Sequence, residues 1–339
     1  MLFRSIATNA GGPRCLKYGV TRSYVLGLEV VLADGRVLRC GGRTHKNKQG
    51  FDLAGLFVGS EGLLGVVTEA TLRLLPHPPA RATLAASFRT FRQAADAVQK
   101  IFAAGFLPCA LEIADPFTLK SAREFLGREI APGAKSLVLV ELDGQADSVK
   151  GECAALARLL KKISAISVLT AFGDEECEKL WGLRRAYSDS LKATGLTKLN
   201  EDVVVPLRGY VPLLRFTREL RDRIGLATPT FGHAADGNFH VHIMYDRFDP
   251  EHCRKAEQAI REVMEKVVAL GGAITGEHGI GLAKSPFLAL QHTPAEIGAM
   301  LAVKRALDPN GILGAGQIFE PFNVWEHRPI KVTLPWDKH

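Results

Sequence analysis

The chain has 339 residues, 47% of them hydrophobic and 23% charged, a balance that excludes disordered, collagen-like and coiled-coil chains and is long enough for two domains. The formal net charge is +7, but the basic residues are scattered and aromatics make up only 7%, so a basic stripe interleaved with stacking aromatics is missing and nucleic acid is not expected as a partner.

In chain order, the Gly-dense start leads to YVLGLEVVLADGRVLRCGG, whose alternation around Asp34-Gly35 predicts a β-hairpin. LLGVVTEATLRLL, after Gly62, predicts a second hairpin-like stretch, and Pro76, Pro78 and Pro79 mark a domain boundary. Strand and helix patterns then alternate: ATLAASF, FRQAADAVQKIFAAG, CALEIAD, PFTLKSAREFLG, SLVLVELDG, SVKGECAALARLLKKI and AISVLTAF. Such units predict a ferredoxin-like α+β domain with helices on one face of an antiparallel sheet. A helix pattern from Gly173 to Thr194 carries Trp181, Arg184 and Arg185, EDVVVPL is a short strand, and 208–225 is a helix. TFGHAADGNFHVHIMYD predicts two strands around Asp236-Gly237-Asn238, and 251–270 a long helix.

The six cysteines, Cys15, Cys40, Cys109, Cys153, Cys177 and Cys253, never form a CxxC pair, so no local zinc ribbon or iron–sulfur cluster can be built from them. A disulfide framework is not expected in so long a chain. MLFRSIATNAGG lacks the apolar core of a signal peptide, and no run approaches a membrane span of roughly 18 apolar residues. The expected location is cytoplasmic, with peripheral docking on a membrane complex left open.

Chemistry concentrates in GHAADGNFHVH, with His233, His240 and His242, and in TGEHGIG, with Glu277 and His278. On an alternating strand His240 and His242 share one face, and the Gly-containing bend folds His233 back towards His240. Two imidazoles and a carboxylate with an open position make a divalent-metal ligand set, and Glu277 is available as the acid. The alternative is packed strand histidines and a solvated loop acid. For Arg184 the alternative is an ion pair with a helix neighbour such as Glu178. No GxGxxG follows a strand, so no Rossmann NAD site is indicated.

These motifs, with LDPNGILGAGQIF, TNAGGPRCLKYGVTRSYVLGLEVVLADG and LFVGSEGLLGVVTEATLRL, closely resemble the D-2-hydroxy-acid dehydrogenases of the vanillyl-alcohol-oxidase (PCMH) flavoprotein superfamily. That group includes D-lactate (cytochrome) dehydrogenases, the glycolate oxidase flavin subunit and D-2-hydroxyglutarate dehydrogenases. The resemblance implies an α+β chain with a partial PCMH-type FAD-binding domain over residues 1–76. A ferredoxin-like substrate and metal domain follows over 77–307, and 308–339 returns towards the flavin site.

It also implies a divalent metal, zinc first with manganese or iron as alternatives, on His233, His240 and Glu277. His278 is implied as base and Arg184 as carboxylate ligand, with Ser188 and Lys198 as weaker candidates. FAD contacts are implied at Asn9, Ala10, Gly11, Gly12, Tyr18, Gly19, Gly59, Glu61, Gly62, Gly65, Val66, Val67 and Asn310. Two departures stand out: Ala235 replaces a family glycine, and GAGQ at 314–317 replaces NPGK near the flavin.

The implied reaction is oxidation of a small D-2-hydroxy acid, of D-lactate or glycolate type, to the 2-oxo acid, with electrons passing to a protein or quinone acceptor. The metal and a neutral imidazole would together remove a hydroxyl proton that an unassisted alcohol does not lose at neutral pH. Family members carry a further flavin subdomain before NAGG, so weak or absent FAD binding by this chain alone is expected, and full activity is expected to need a longer chain or a polypeptide that supplies the rest. A homodimer is left open. The alternatives are a non-redox relative of the alkyl-dihydroxyacetone-phosphate synthases and a truncated non-catalytic subunit or paralogue.

Overall fold

The computed structural model describes residues 2–127 and 131–322. Its N-terminal part is a three-stranded antiparallel sheet in the order β2 (Val37–Gly41), β1 (Val25–Val31), β3 (Val66–Leu72). Short helices α1 (Leu2–Ala7), α2 (Cys15–Tyr18) and α3 (Leu53–Phe57) flank it. The Asp34-Gly35 turn joins β1 and β2, and Gly35 takes φ +85°, a conformation open to glycine without steric cost. Leu28 and Val30 of β1 are buried against Ile6, Phe57 and Leu64. LLGVVTEATLRLL is not a hairpin: it supplies the single strand β3, because Gly62 lies in the loop before the strand and no turn falls within it.

The remaining strands are β4 (Ala80–Phe88), β5 (Ala110–Ala114), β6 (Ser136–Gly144), β7 (Ser167–Phe172), β8 (Thr197–Val204), β9 (Thr230–His233) and β10 (Asn238–Tyr245). They form one antiparallel sheet in the order β7-β4-β6-β5-β9-β10-β8. The helices between and after them are α4 (Phe91–Ala103), α5 (Pro116–Leu126), α6 (Ala146–Lys162), α7 (Gly173–Lys192), α8 (Tyr210–Ile224), α9 (Pro250–Ala269), α10 (Leu288–Gln291) and α11 (Pro294–Leu307). β8 starts earlier than EDVVVPL because it pairs along the full length of β10, from Thr197 opposite Tyr245 to Val204 opposite Asn238.

Helices cover both faces of this sheet, not one. Leu84, Leu111, Ile113, Val140, Phe239, Val241 and Ile243 point into the main core with α4, α6, α8 and α9. The alternate residues Ala85, Ala114, Leu139 and Phe231 pack with α5 and α7 in a second, smaller core. Period-2 alternation buried on both sides requires a second layer, and α7 supplies it through Trp181, Leu183, Tyr187 and Leu191. The second face is also where β5, β8, β9 and β10 carry the buried polar residues Glu112, Asp202, His233 and His240. Among the described residues no helix is long and apolar enough to cross a membrane, and all six cysteines are free.

A buried acid ties the two sheets together. Glu141 on β6 accepts hydrogen bonds from Trp181 Nε1 (2.6 Å), Thr83 Oγ1 (3.2 Å) and Arg14 Nη2 (2.5 Å), and Arg81 lies 3.4 Å away. Two residues on, Asp143 accepts from Tyr18 Oη (2.7 Å) and from Lys17 Nζ. The PRCLKY segment is thereby stapled to the end of β6. Glu141→Ala leaves the buried Trp181 N–H and Thr83 hydroxyl without their acceptor, while Arg81 keeps Asp174 and Glu178, and we expect a loss of about 2 kcal/mol in urea unfolding. Lys120→Ala, which removes an exposed partner of Glu124 on α5, should leave the unfolding midpoint unchanged.

Candidate active site

Glu112 is the single acid of β5, flanked on its own face by the small Ala110 and Ala114. It is buried, and opposite it in the neighbouring strand is His233. Its Oε1 lies 2.5 Å from His233 Nδ1, and its Oε2 accepts from Nε of Arg184 on α7. Burial pushes this carboxyl up, but Arg184 and His233 outweigh it and hold it down at about 2. The Arg184 guanidinium sits 4.8 Å from the centre of the Phe231 ring and 5.7 Å from that of Tyr187. Its two Nη groups carry no hydrogen bond among the described residues, so the planar fork stays open to a carboxylate.

His233 Nε2 lies 3.1 Å from Glu277 Oε1, and ligand atoms of His233, His240 and Glu277 all lie within 4.8 Å of one another. His240 Nδ1 is buried without a hydrogen-bond partner. Burial, then the neighbouring His233, drives the His240 imidazole towards its neutral form, at about 4. Burial would do the same to His233, but Glu112 and Glu277 outweigh it and favour a positive charge there. An orphaned imidazole nitrogen, a neutral histidine and an electrostatic demand for positive charge fit a divalent cation. The Glu112–His233 contact is the carboxylate–histidine support that metal-binding imidazoles use.

The loop carrying Glu277 and His278 is anchored from both sides. Asp202 on β8 accepts from the backbone N–H of Gly276 (3.1 Å), Glu277 (2.7 Å) and His278 (3.0 Å), while Asn238 donates to its other oxygen. Burial disfavours the Asp202 charge, but Lys284, Asn238 and these amides hold the acid well below the usual carboxylate range. From the N-terminal side Glu61 accepts from Ile280 N–H and Gly281 N–H, both at 2.7 Å. A Cβ on Gly279, at φ +82°, would lie 2.6 Å from the Glu61 carboxyl, so glycine is required at that approach. His278 is exposed, 3.7 Å from Asp202 through Nδ1, and its ring centre is 6.1 Å from that of His240.

The structure brings together His233, His240, Glu277, His278 and Arg184. His242 shares the face of His240 but not its role: it is fully buried, stacked 4.9 Å from Phe231, with neither ring nitrogen bonded. Arg184 does not pair with Glu178, which Arg185 and Arg81 occupy; it turns inward to Glu112. Lys198 donates to Ser188 at 2.6 Å.

Among the glycine-loop positions, a Cβ on Gly11 would lie 3.5 Å from Glu277 Cγ, which sets the NAGG turn against the triad, while Gly12 and Gly62 leave open space. An open groove of about 380 Å³ runs past Ala10, Gly11, Gly12, Tyr18 and Gly19. Side-chain-free backbone beside an open groove fits one wall of a flavin site. The Asn9 side chain accepts from Arg22 N–H, the Tyr18 hydroxyl is committed to Asp143, and Glu61 serves the loop contact above. Gly59 and Gly65 are packed against Asn9 and Val30, Val66 and Val67 begin β3, and Asn310 is exposed in the turn after α11. After α11 the chain returns to this loop cluster, where Ile318 N–H donates to Gly281 O at 2.8 Å; residues 323–339 lie outside the described residues.

Motif spacing does not reveal Glu112, Asp202 or Phe231. The usable signal was an acid inside an apolar strand: Glu112 within ALEIA, and the Glu201-Asp202 pair directly ahead of Val203 and Val204.

The chain belongs to the FAD-linked oxidases: the C-terminal domain of that family matches residues 77–318, and an FAD binding domain matches 5–41. It is 40% identical over 315 residues to glycolate oxidase subunit GlcD of Bacillus subtilis, covering 93% of this chain and 67% of the relative. It is 32% identical to a D-lactate dehydrogenase of Anaerostipes hadrus, covering 93% and 68%. The chain spans about two thirds of the length of the curated relatives it matches, and 62% of the Escherichia coli GlcD.

The fold is shared with a 4-ethylphenol oxidase of Gulosibacter chungangensis (TM-score 0.66, 18% identity, 88% of this chain and 66% of that one). It is also shared with an alkyldihydroxyacetonephosphate synthase (TM-score 0.62, 17% identity, 91% and 56%).

Removing a ligand tests the triad: His240→Ala should cost most zinc occupancy, and Glu112→Gln should weaken zinc roughly 10–100-fold in competition with a chromogenic chelator. Equal zinc affinity in wild type and His240→Ala would refute the assignment.

Proposed function

We propose that the chain is the substrate and metal part, with a portion of the flavin domain, of an FAD- and metal-dependent dehydrogenase of small D-2-hydroxy acids. Residues 1–76 are the flavin portion, 77–307 the substrate and metal domain, and 308–339 the segment returning to the flavin side. The observation that carries this reading is Glu112, which holds an anion-binding guanidinium and a metal-competent imidazole on its two oxygens. Relatives named as a glycolate oxidase subunit and a D-lactate dehydrogenase support the substrate class.

Arg184 takes the substrate carboxylate on its free Nη fork, with Phe231 and Tyr187 limiting its swing. His233, His240 and Glu277 would hold a divalent ion beside it. When bound, the ion would supply acidity to the substrate hydroxyl and FAD would supply the acceptor for the Cα hydride. His278 receives the hydroxyl proton, with Asp202 beside its ring to steady the imidazolium. Loss of that proton and of the Cα hydride leaves the 2-oxo acid. Because Lys198 is engaged with Ser188, a monocarboxylate such as D-lactate or glycolate is favoured over a dicarboxylate.

A protein or quinone acceptor takes the electrons onward, and the name glycolate oxidase subunit supports a partner polypeptide. In the complete holoenzyme, His278→Ala should slow anaerobic flavin reduction by D-lactate roughly 10²–10⁴-fold. Arg184→Lys should raise KM strongly and lower kcat less, because its contact is made in ground and transition state alike. Wild-type flavin reduction in His278→Ala would end the proposed role of that residue.

A further inference from the structure

A second cavity, of about 470 Å³, opens between the first turn of α4, the junction of β5 with α5, and the exposed side of α8. Six cations surround it: Arg89, Arg92, Lys135, Arg215, Arg218 and Arg221. Arg221 is bonded to Asp222 (2.6 and 2.9 Å) and Arg92 lies 3.9 Å from Asp96. Arg89, Lys135, Arg215 and Arg218 pair with no carboxylate among the described residues. The single acid in the lining, Asp115, is already used, since its two oxygens accept from Thr118 N–H (2.8 Å) and Thr230 N–H (3.0 Å). So many positive charges crowded around one committed carboxylate repel one another until an anion is added.

The floor is apolar, formed by Phe91, Val211 and Leu214. The N-terminal turn of the 13-residue α4 also lines the cavity and adds the positive end of its dipole to the field of the side chains. The volume falls in the range of small-molecule sites, and the concave shape suits a compact ligand better than a flat protein surface. None of the triad residues or Arg184 lines this cavity. Asp115 is three residues along the chain from Glu112, so the two sites share β5 without sharing side chains.

We infer that this cavity binds a small organic polyphosphate of the nucleoside di- or triphosphate class. Guanidinium forks take the phosphates and the apolar floor takes the organic part.

The test is titration calorimetry on the full 339-residue chain at about 0.1 M salt, with ATP, inorganic pyrophosphate and adenosine as probes. ATP should bind one per chain and more tightly than pyrophosphate, and adenosine should give no saturable heat. Arg215 and Arg218 are exposed on α8, so their replacement does not threaten the core. The double variant Arg215→Ser, Arg218→Ser should weaken ATP by roughly tenfold for each guanidinium lost, while His240→Ala should bind ATP like wild type. Absence of ATP binding at millimolar concentration, equal affinity in the double variant, or equal affinity for ATP and pyrophosphate would each overturn the assignment. Loss of the metal-site function alone would leave it standing.

Discussion

One buried carboxylate organises the chemistry. Glu112 lies in the middle of the second sheet, far from water, where an ionised acid is costly unless both oxygens are satisfied. Here one oxygen holds His233 and the other holds Arg184. The acid thereby fixes the orientation of the imidazole ring and directs the free end of the guanidinium outward. Neither residue is adjacent to Glu112 in sequence; β9 brings in the first by strand pairing and α7 the second by packing over the same face.

The Glu277–His278 loop is held in the same manner. Asp202 gathers three consecutive amides from within the second sheet, and Glu61, in the loop ahead of β3, gathers two. The Glu277–His278 turn therefore lies at the seam between the two sheets, with the glycine loop of Gly11 touching it. The seam is further closed by Arg14, Lys17 and Tyr18 on Glu141 and Asp143. A flavin lying along the glycine groove would meet substrate only while that seam is intact.

Much of this was legible in the sequence, because periodicity reports burial directly. The alternation in β4, β6 and β10 and the amphipathic faces of α4, α6 and α9 correspond to residues in the main core. The second helical layer was not legible, since an apolar strand buried on both faces looks like one buried on a single face with small residues between. The histidine motifs pointed to the triad, yet motif spacing alone did not separate His240 from His242, which lie on one face. Their neighbours differ: His240 groups with His233 and Glu277, whereas His242 stacks on Phe231. Glu112 and Asp202 were hidden because their partners lie 72–121 and 36–76 residues away in the chain.

The most direct measurement of whether guanidinium and metal ligands form one substrate site is visible absorption of the cobalt(II)-loaded chain during titration with D-lactate. One cobalt per chain and a spectral change that saturates with D-lactate are expected, with that change weakened in Arg184→Gln and cobalt itself lost in His240→Ala. A cobalt spectrum that D-lactate leaves untouched, or one that survives His240→Ala, would contradict the unity of the site.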